Sequence, residues 1–219
     1  MSNASPVTYT QTPNLLFDYW LPQLGYAELK VFLVLTRKIV GWHKERDRIS
    51  LSQLESCTGL GTKNVVTAVN SLLEKGLITK EVIGKTGYQN TFYTIDFCPE
   101  LLAQIMSNAP PLTYTQAPNL LFDYWLPQLG HAELKVLLVL TRKIVGWHKE
   151  RDQISLSQIE RCSGLARKNV TTAINSLVEK GLITKEVVGE KGSQNTVYTI
   201  DFCAKLASES ILRSDFTSP

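Results

Sequence analysis

Residues Val7 to Cys98 align with Leu112 to Cys203 at a constant offset of 105 residues, without a gap, and only 18 of the 92 paired positions differ. A repeat of that length is a whole domain and not a solenoid unit, which runs about 20–50 residues. The 219-residue chain is therefore expected to hold two domains, at 7–98 and 112–203, with a linker at 99–111 and a tail at 204–219. A domain of about 100 residues can bury a modest core of its own. In the linker, Pro99 suits the first turn of a short helix through Leu101, Leu102 and Ile105, ended by Asn108-Ala109-Pro110-Pro111.

Several function classes fall away early. No apolar run approaches the roughly 20 residues a membrane span needs. Residues 1–6 show no basic region leading into an apolar stretch. A cytoplasmic chain without membrane contact is expected. Cys57, Cys98, Cys162 and Cys203 are one pair of positions repeated and lack Cys-x-x-Cys spacing, so reduced thiols are expected and a metal site is not. His43 and His148 have no partner ligands nearby in sequence. No phosphate-binding glycine loop, nucleophile elbow or metal-binding histidine pair is present, so no enzyme, catalytic residue or cofactor is expected. The net charge of +3 permits nucleic-acid binding without requiring it.

Periodicity within one copy predicts its elements. Asn14 to Leu24 is apolar and aromatic and reads as a short first helix. From Ala27 to Val40, apolar residues recur at three- and four-residue steps, the pattern of a strong helix, with Gly41 as its terminator. Arg48 to Leu51 reads as a short strand, and Ser50 or Ser52 can cap a helix running to about Cys57. After the turn Thr58-Gly59-Leu60-Gly61, a helix from Thr62 to Lys75 would bury Val65, Ala68, Val69, Leu72 and Leu73, and Gly76 suits its end. Leu77 to Ile83 and Thr91 to Phe97 read as strands joined by a polar loop at 84–90. Two helices across a tight turn, followed by a hairpin, predict the fold class: α+β, mainly helical, with two tandem winged helix–turn–helix domains. The second of the paired helices is the expected recognition helix, and the hairpin is the wing.

That order marks candidate site residues. Lys63, Asn64, Thr67 and Asn70, and in the second copy Lys168, Asn169, Thr172 and Asn175, fall opposite the apolar stripe. Such side chains suit phosphates and major-groove base edges, although a solvated polar helix face would carry the same residues. The pairs Thr62/Arg167 and Val66/Thr171 change chemistry between the copies and lie one turn apart on that face, so the two domains are expected to read related but unequal half-sites. In the wing, Lys85, Thr86 and Lys191 are candidates for backbone or minor-groove contact. Arg37, Lys38 and Lys44, with Arg142, Lys143 and Lys149, are candidate phosphate contacts, and equally are cations that complement a helix C-terminus. Trp42 and Trp147 are expected as core anchors.

Arg37-Lys38-Ile39-Val40-Gly41-Trp42, then Lys44, Asp47, Ile49 and Ser52-Gln53-Leu54, resembles the N-terminal domain of phage lambda-type replication protein O. The second copy repeats it with Arg142-Lys143-Ile144-Val145-Gly146-Trp147, Lys149, Asp152, Ile154 and Ser157-Gln158-Ile159. Glu28-Leu29-Lys30-Val31 and Glu74-Lys75-Gly76-Leu77-Ile78 fit the same family. The resemblance implies a winged-helix domain that binds phage-type replication origins, with replication proteins as a further partner class. Family members usually carry one such domain followed by a region that recruits the helicase-loading machinery. Two domains and a short tail leave that recruitment open. The expected partner is double-stranded DNA, bound by a monomer acting as a covalent pseudo-dimer. A transcriptional repressor is the alternative within the same class, and a protein-interaction adaptor the alternative outside it.

Overall fold

The computed structural model describes residues 8–85, 88–97, 113–189 and 195–202. The expected linker helix and the tail lie outside these residues. Contacts divide the chain into two compact units, Met1–Leu129 and Gly130–Pro219.

In the first unit the elements run β1 (Tyr9–Pro13), a π-helical turn (Leu16–Trp20), α1 (Leu21–Gln23), α2 (Tyr26–Ile39), β2 (Asp47–Arg48), α3 (Leu51–Thr58), α4 (Thr62–Glu74), β3 (Ile78–Lys85) and β4 (Tyr88–Ile95). The opening of the second repeat belongs to this unit as well: β5 (Tyr114–Pro118), a second π-helical turn (Leu121–Trp125) and α5 (Leu126–Gln128). The second unit holds α6 (His131–Ile144), β6 (Arg151–Gln153), α7 (Leu156–Ser163), α8 (Arg167–Glu179), β7 (Ile183–Val188) and β8 (Asn195–Ile200). Each unit is α+β and contains a three-stranded antiparallel sheet, of order β2-β4-β3 in the first and β6-β8-β7 in the second. Among the described residues no helix is long and apolar enough to cross a membrane.

Local chemistry accounts for the paired helices α3 and α4. Ser50 Oγ accepts the Gln53 N–H at 3.1 Å while Gln53 Oε1 accepts the Ser50 N–H at 2.9 Å, a reciprocal cap that starts α3. Gly59 ends α3 at φ 68°, a left-handed conformation, where an added Cβ would also lie 2.9 Å from the Pro127 carbonyl oxygen. Helix α4 buries Val65, Ala68, Val69 and Leu72, each large apolar side chain contributing about 1.5–3 kcal/mol by leaving water. Val170, Ala173, Ile174 and Leu177 are buried in the same way on α8. The end of α4 closes through Leu77 N–H on Leu72 O at 3.0 Å, with Gly76 at φ 69°.

Several local expectations are corrected. The apolar stretch before α2 is the short helix expected, over residues 14–23, but with a π-helical turn, Leu16–Trp20, in its middle. Helix α2 ends at Ile39, one residue before the expected Val40, and Gly41 does not terminate the chain's helical course, which continues as a 3₁₀ turn, Val40–Trp42, closed by His43 at φ 53°. Gly41 answers to crowding: a Cβ there would sit 2.7 Å from Thr10 Oγ1. Most of the polar stretch 84–90 is strand, because pairing in the first hairpin continues to Lys85 opposite Tyr88. Trp42 and Trp147, expected inside, are 64% and 61% exposed.

No strand was expected at β1, and its partner explains it. β1 and β5 form an antiparallel ribbon in which Gln11 stands opposite Gln116, its own counterpart in the repeat. Each position therefore meets the mirror position of the other copy. Side chains obey the same reciprocity. Asn14 Nδ2 donates to Thr113 Oγ1 at 2.8 Å and its Oδ1 accepts from Thr115 Oγ1 at 2.7 Å, while Asn119 Nδ2 donates to Thr8 Oγ1 at 2.9 Å and its Oδ1 accepts from Thr10 Oγ1 at 2.8 Å. Thr10, Thr12 and Thr115 are fully buried; Thr10 and Thr115 donate across the ribbon. Arg37 reinforces the association with a forked ion pair to Asp123 at 2.9–3.1 Å.

Candidate nucleic-acid interface

Helix α4 presents opposite chemistry on its two sides. Thr62, Lys63, Asn64, Val66, Thr67 and Asn70 are all exposed, and the buried stripe lies behind them. On α8 the exposed set is Arg167, Lys168, Asn169, Thr171, Thr172 and Asn175. The structure thus gathers each helical group of candidates onto one solvent-facing side. Lys85 ends β3, while Thr86 and Lys191 lie outside the described residues.

Both helices are fixed by a buried-edge carboxylate. Glu28 begins α2, where its Oε2 accepts the Gly25 N–H at 2.6 Å. Its Oε1 accepts from Ser71 Oγ at 2.5 Å and from Lys75 Nζ at 2.6 Å on α4. Partial burial opposes the charged form, but the bonds from Lys75, Ser71 and Gly25 outweigh it and hold the Glu28 carboxyl below its usual range. Glu133 repeats the arrangement on α8 through Ser176 at 2.5 Å and Lys180, and its carboxyl is lowered against the same opposing burial.

In the second unit, the start of α8 borders a concavity of about 210 Å³ lined by Gln153, Ser155, Leu156, Ser157, Arg167, Asn195 and Thr196. It brings together the N-terminal ends of α7 and α8, the strand β6 and the first residues of β8. Helix N-termini offer unpaired backbone N–H groups, so this is chemistry suited to an anion. Arg167 is 66% exposed at its side chain and 3.6 Å from Glu160 Oε1, a loose ion pair that leaves it able to turn outward. Sequence reasoning overlooked Gln153, Ser155, Ser157 and Thr196. One signal was available: Arg48/Gln153 differs in chemistry between the copies, as Thr62/Arg167 does. In the first unit Arg48 Nη1 donates instead to Asn90 Oδ1 at 3.1 Å.

The candidate phosphate contacts divide. Arg37 is committed to Asp123, with only 15% of its side chain exposed. Lys44 and Lys149 are exposed and pair with Asp47 and Asp152 at 3.0 and 2.9 Å. Lys38 and Lys143 are half-buried and Arg142 is of intermediate exposure. Cys57 and Cys162 are free, half-buried thiols. Among the described residues no three His, Cys, Asp or Glu side chains cluster as metal ligands would.

Fold and site together define the class: a tandemly duplicated α+β protein in which each copy turns the polar side of a packed helix to solvent. The chain belongs to the bacteriophage replication protein O family, whose model matches residues 6–93 and again residues 113–199. No curated protein sequence matches the chain. Among solved structures, a similarity is found to ScpB from Mycobacterium tuberculosis, with 16% identity, coverage of 84% of this chain and 98% of that one, and a TM-score of 0.25.

Proposed function

We propose that the chain binds double-stranded DNA sequence-specifically in the initiation of phage-type replication. In this reading residues 7–98 and 112–203 are winged helix–turn–helix domains, α4 and α8 are their recognition helices, and the hairpins β3–β4 and β7–β8 are their wings. The observation that carries it is the polar side of α4 and α8, where Lys63, Asn64, Thr67 and Asn70 and their counterparts stand exposed above a buried apolar stripe. Asparagine and lysine reach adenine and guanine edges, and threonine reaches either a base or a phosphate. The family supplies the replication context.

One polypeptide then occupies two half-sites as a covalent pseudo-dimer. Fusion makes the second contact intramolecular and raises its effective concentration without new contacts. Half-sites about 10 base pairs apart place both helices on one side of the duplex. The test is selection of bound sequences from random duplex DNA, followed by footprinting and a salt titration. Two protected half-sites are expected, with affinity falling roughly a thousandfold or more between about 50 and 200 mM salt if six or more phosphates are contacted. Weak, salt-indifferent binding with no enriched sequence would instead support an adaptor that docks proteins.

A further inference from the structure

We propose that the corner following α2, and its counterpart following α6, is a second nucleic-acid contact, at which the exposed indole of Trp42 or Trp147 stacks on an unpaired base of single-stranded DNA. The inference rests on the nucleic-acid reading and adds a ligand to it, on a surface apart from the recognition helices.

Four tryptophans divide cleanly. Trp20 and Trp125 are 8% and 4% exposed, whereas Trp42 and Trp147 are 64% and 61% exposed. An indole left largely in water at both copies of one position is a large exposed aromatic surface, and the run Trp-His-Lys around it is unchanged between the copies. Both rings are backed by a guanidinium, with Arg37 Cζ 5.6 Å from the Trp42 centroid and Arg142 Cζ 5.7 Å from that of Trp147. A cation over one side of a ring helps fix its orientation. The left-handed residue that follows, His43 or His148 at φ 53°, turns the chain back and leaves the ring standing at the corner.

The Trp147 side chain also borders a groove. In the second unit it has a volume of about 240 Å³ and is lined by Lys143, Trp147, Lys149, Asp152, Gln153 and Gln158, with Ile154 at its base. A flat aromatic wall takes a base face, ammonium groups take phosphates, and amides with a carboxylate take base edges. The rim is too polar to resemble an apolar protein-docking pocket. Gln153 also lines the separate concavity beside Arg167, which Trp147 does not border, so the groove neighbours the proposed duplex interface without sharing its aromatic wall. Within a duplex both faces of every base are covered by its neighbours, and a free indole face finds no partner there. An unpaired strand offers one at every nucleotide.

The test uses the full chain and an oligothymidylate of about 12 nucleotides, a length typical of one such groove. With Trp20 and Trp125 buried, intrinsic fluorescence open to quenching by a ligand comes from Trp42 and Trp147. Saturable quenching is expected on titration with the single strand. The pair Trp42→Ala and Trp147→Ala should lose about tenfold or more in single-strand affinity, and the pair Trp42→Phe and Trp147→Phe, which keeps a stacking face, should retain most of it. Affinity for the selected duplex should be unchanged in both. Equal affinities for the Ala and Phe pairs, or equal losses on single strand and duplex, would overturn the proposal. Duplex binding without single-strand binding overturns this inference alone, and absence of both overturns the DNA-binding reading with it.

Discussion

Along α4 and α8, Thr62/Arg167 is the largest change of chemistry between the copies. Arginine forms a bidentate pair with guanine O6 and N7, a geometry that Thr62 cannot reproduce. If Arg167 reads a guanine, Arg167→Thr should cost roughly 1–3 kcal/mol and relax preference at one base position, while Lys168→Ala weakens binding to all sequences and lowers its salt dependence. Binding measured against single-base variants at two salt concentrations separates the two. Arg167→Thr losing equally on every variant would reduce the arginine to a phosphate clamp. Lys30 makes a second prediction. Its ammonium is buried, donating to Thr58 O at 2.9 Å and Pro127 O at 3.1 Å, and burial lowers its pKa from 10.5 to about 8. Folding then disfavours the proton: the penalty is full below pH 8, and stability rises as the folded form deprotonates while the unfolded form does not. Denaturant midpoints should climb between about pH 8 and 9.5, and Lys30→Met should flatten that climb. Neither Lys30 nor Trp42 was legible in sequence, for opposite reasons. Lysine is buried only where tertiary carbonyls are supplied, here by Thr58 and by a residue 97 positions away. Trp42 was expected as a core anchor, but it falls past the last turn of α2, where the apolar phase no longer governs.

Elements whose burial is set by their own periodicity were readable, and those set by distant partners were not. The stripe on α4 placed Val65, Ala68, Val69 and Leu72 inside, whereas Leu73, expected with them, is half-buried and its counterpart Val178 is exposed; the exposed candidates followed as the complement of the stripe. Ser50 and Ser52 were equal candidates for the start of α3. The structure settles on Ser50, whose hydroxyl takes the Gln53 N–H. Ser50→Ala and Ser155→Ala should each cost about 1 kcal/mol. Calorimetry should show a lowered transition for either, and Ser52→Ala should stay within about 0.5 kcal/mol of the parent. β1 was invisible for want of a local signal. Tyr9-Thr10-Gln11-Thr12-Pro13 is largely polar, and its buried threonines are tolerated because the strand pairs with β5, more than 100 positions on. The hairpin loop was overestimated because its polar residues were read as turn, whereas Gln89 and Asn90 pair across the sheet with Gly84 and Ile83.

For the whole molecule, the ribbon is the feature with the longest reach. It ties residues 8–14 to 113–119, and Arg37–Asp123, Lys30–Pro127 and Tyr26 Oη on Leu129 O at 2.9 Å extend the association. A protease site inserted between residues 104 and 105 should therefore give a cleaved chain whose two pieces still elute together under native conditions. Elution as separate halves would mean that the covalent link, and not the ribbon, holds the repeats. The ribbon also bears on descent. A strand complementary to itself is what a single-copy chain needs to join an identical partner, and in such a pair one mutation in the gene appears twice. Any change at a reading position alters both readers at once, and the target must change in both halves to follow. A gene that encodes both partners is free of that rule. Between Tyr9–Pro13 and Tyr114–Pro118 only Thr12/Ala117 differs, so the self-complementary strand is kept in both copies, while Thr62 and Arg167 differ; under the proposed function each copy can then change what it contacts without the other following.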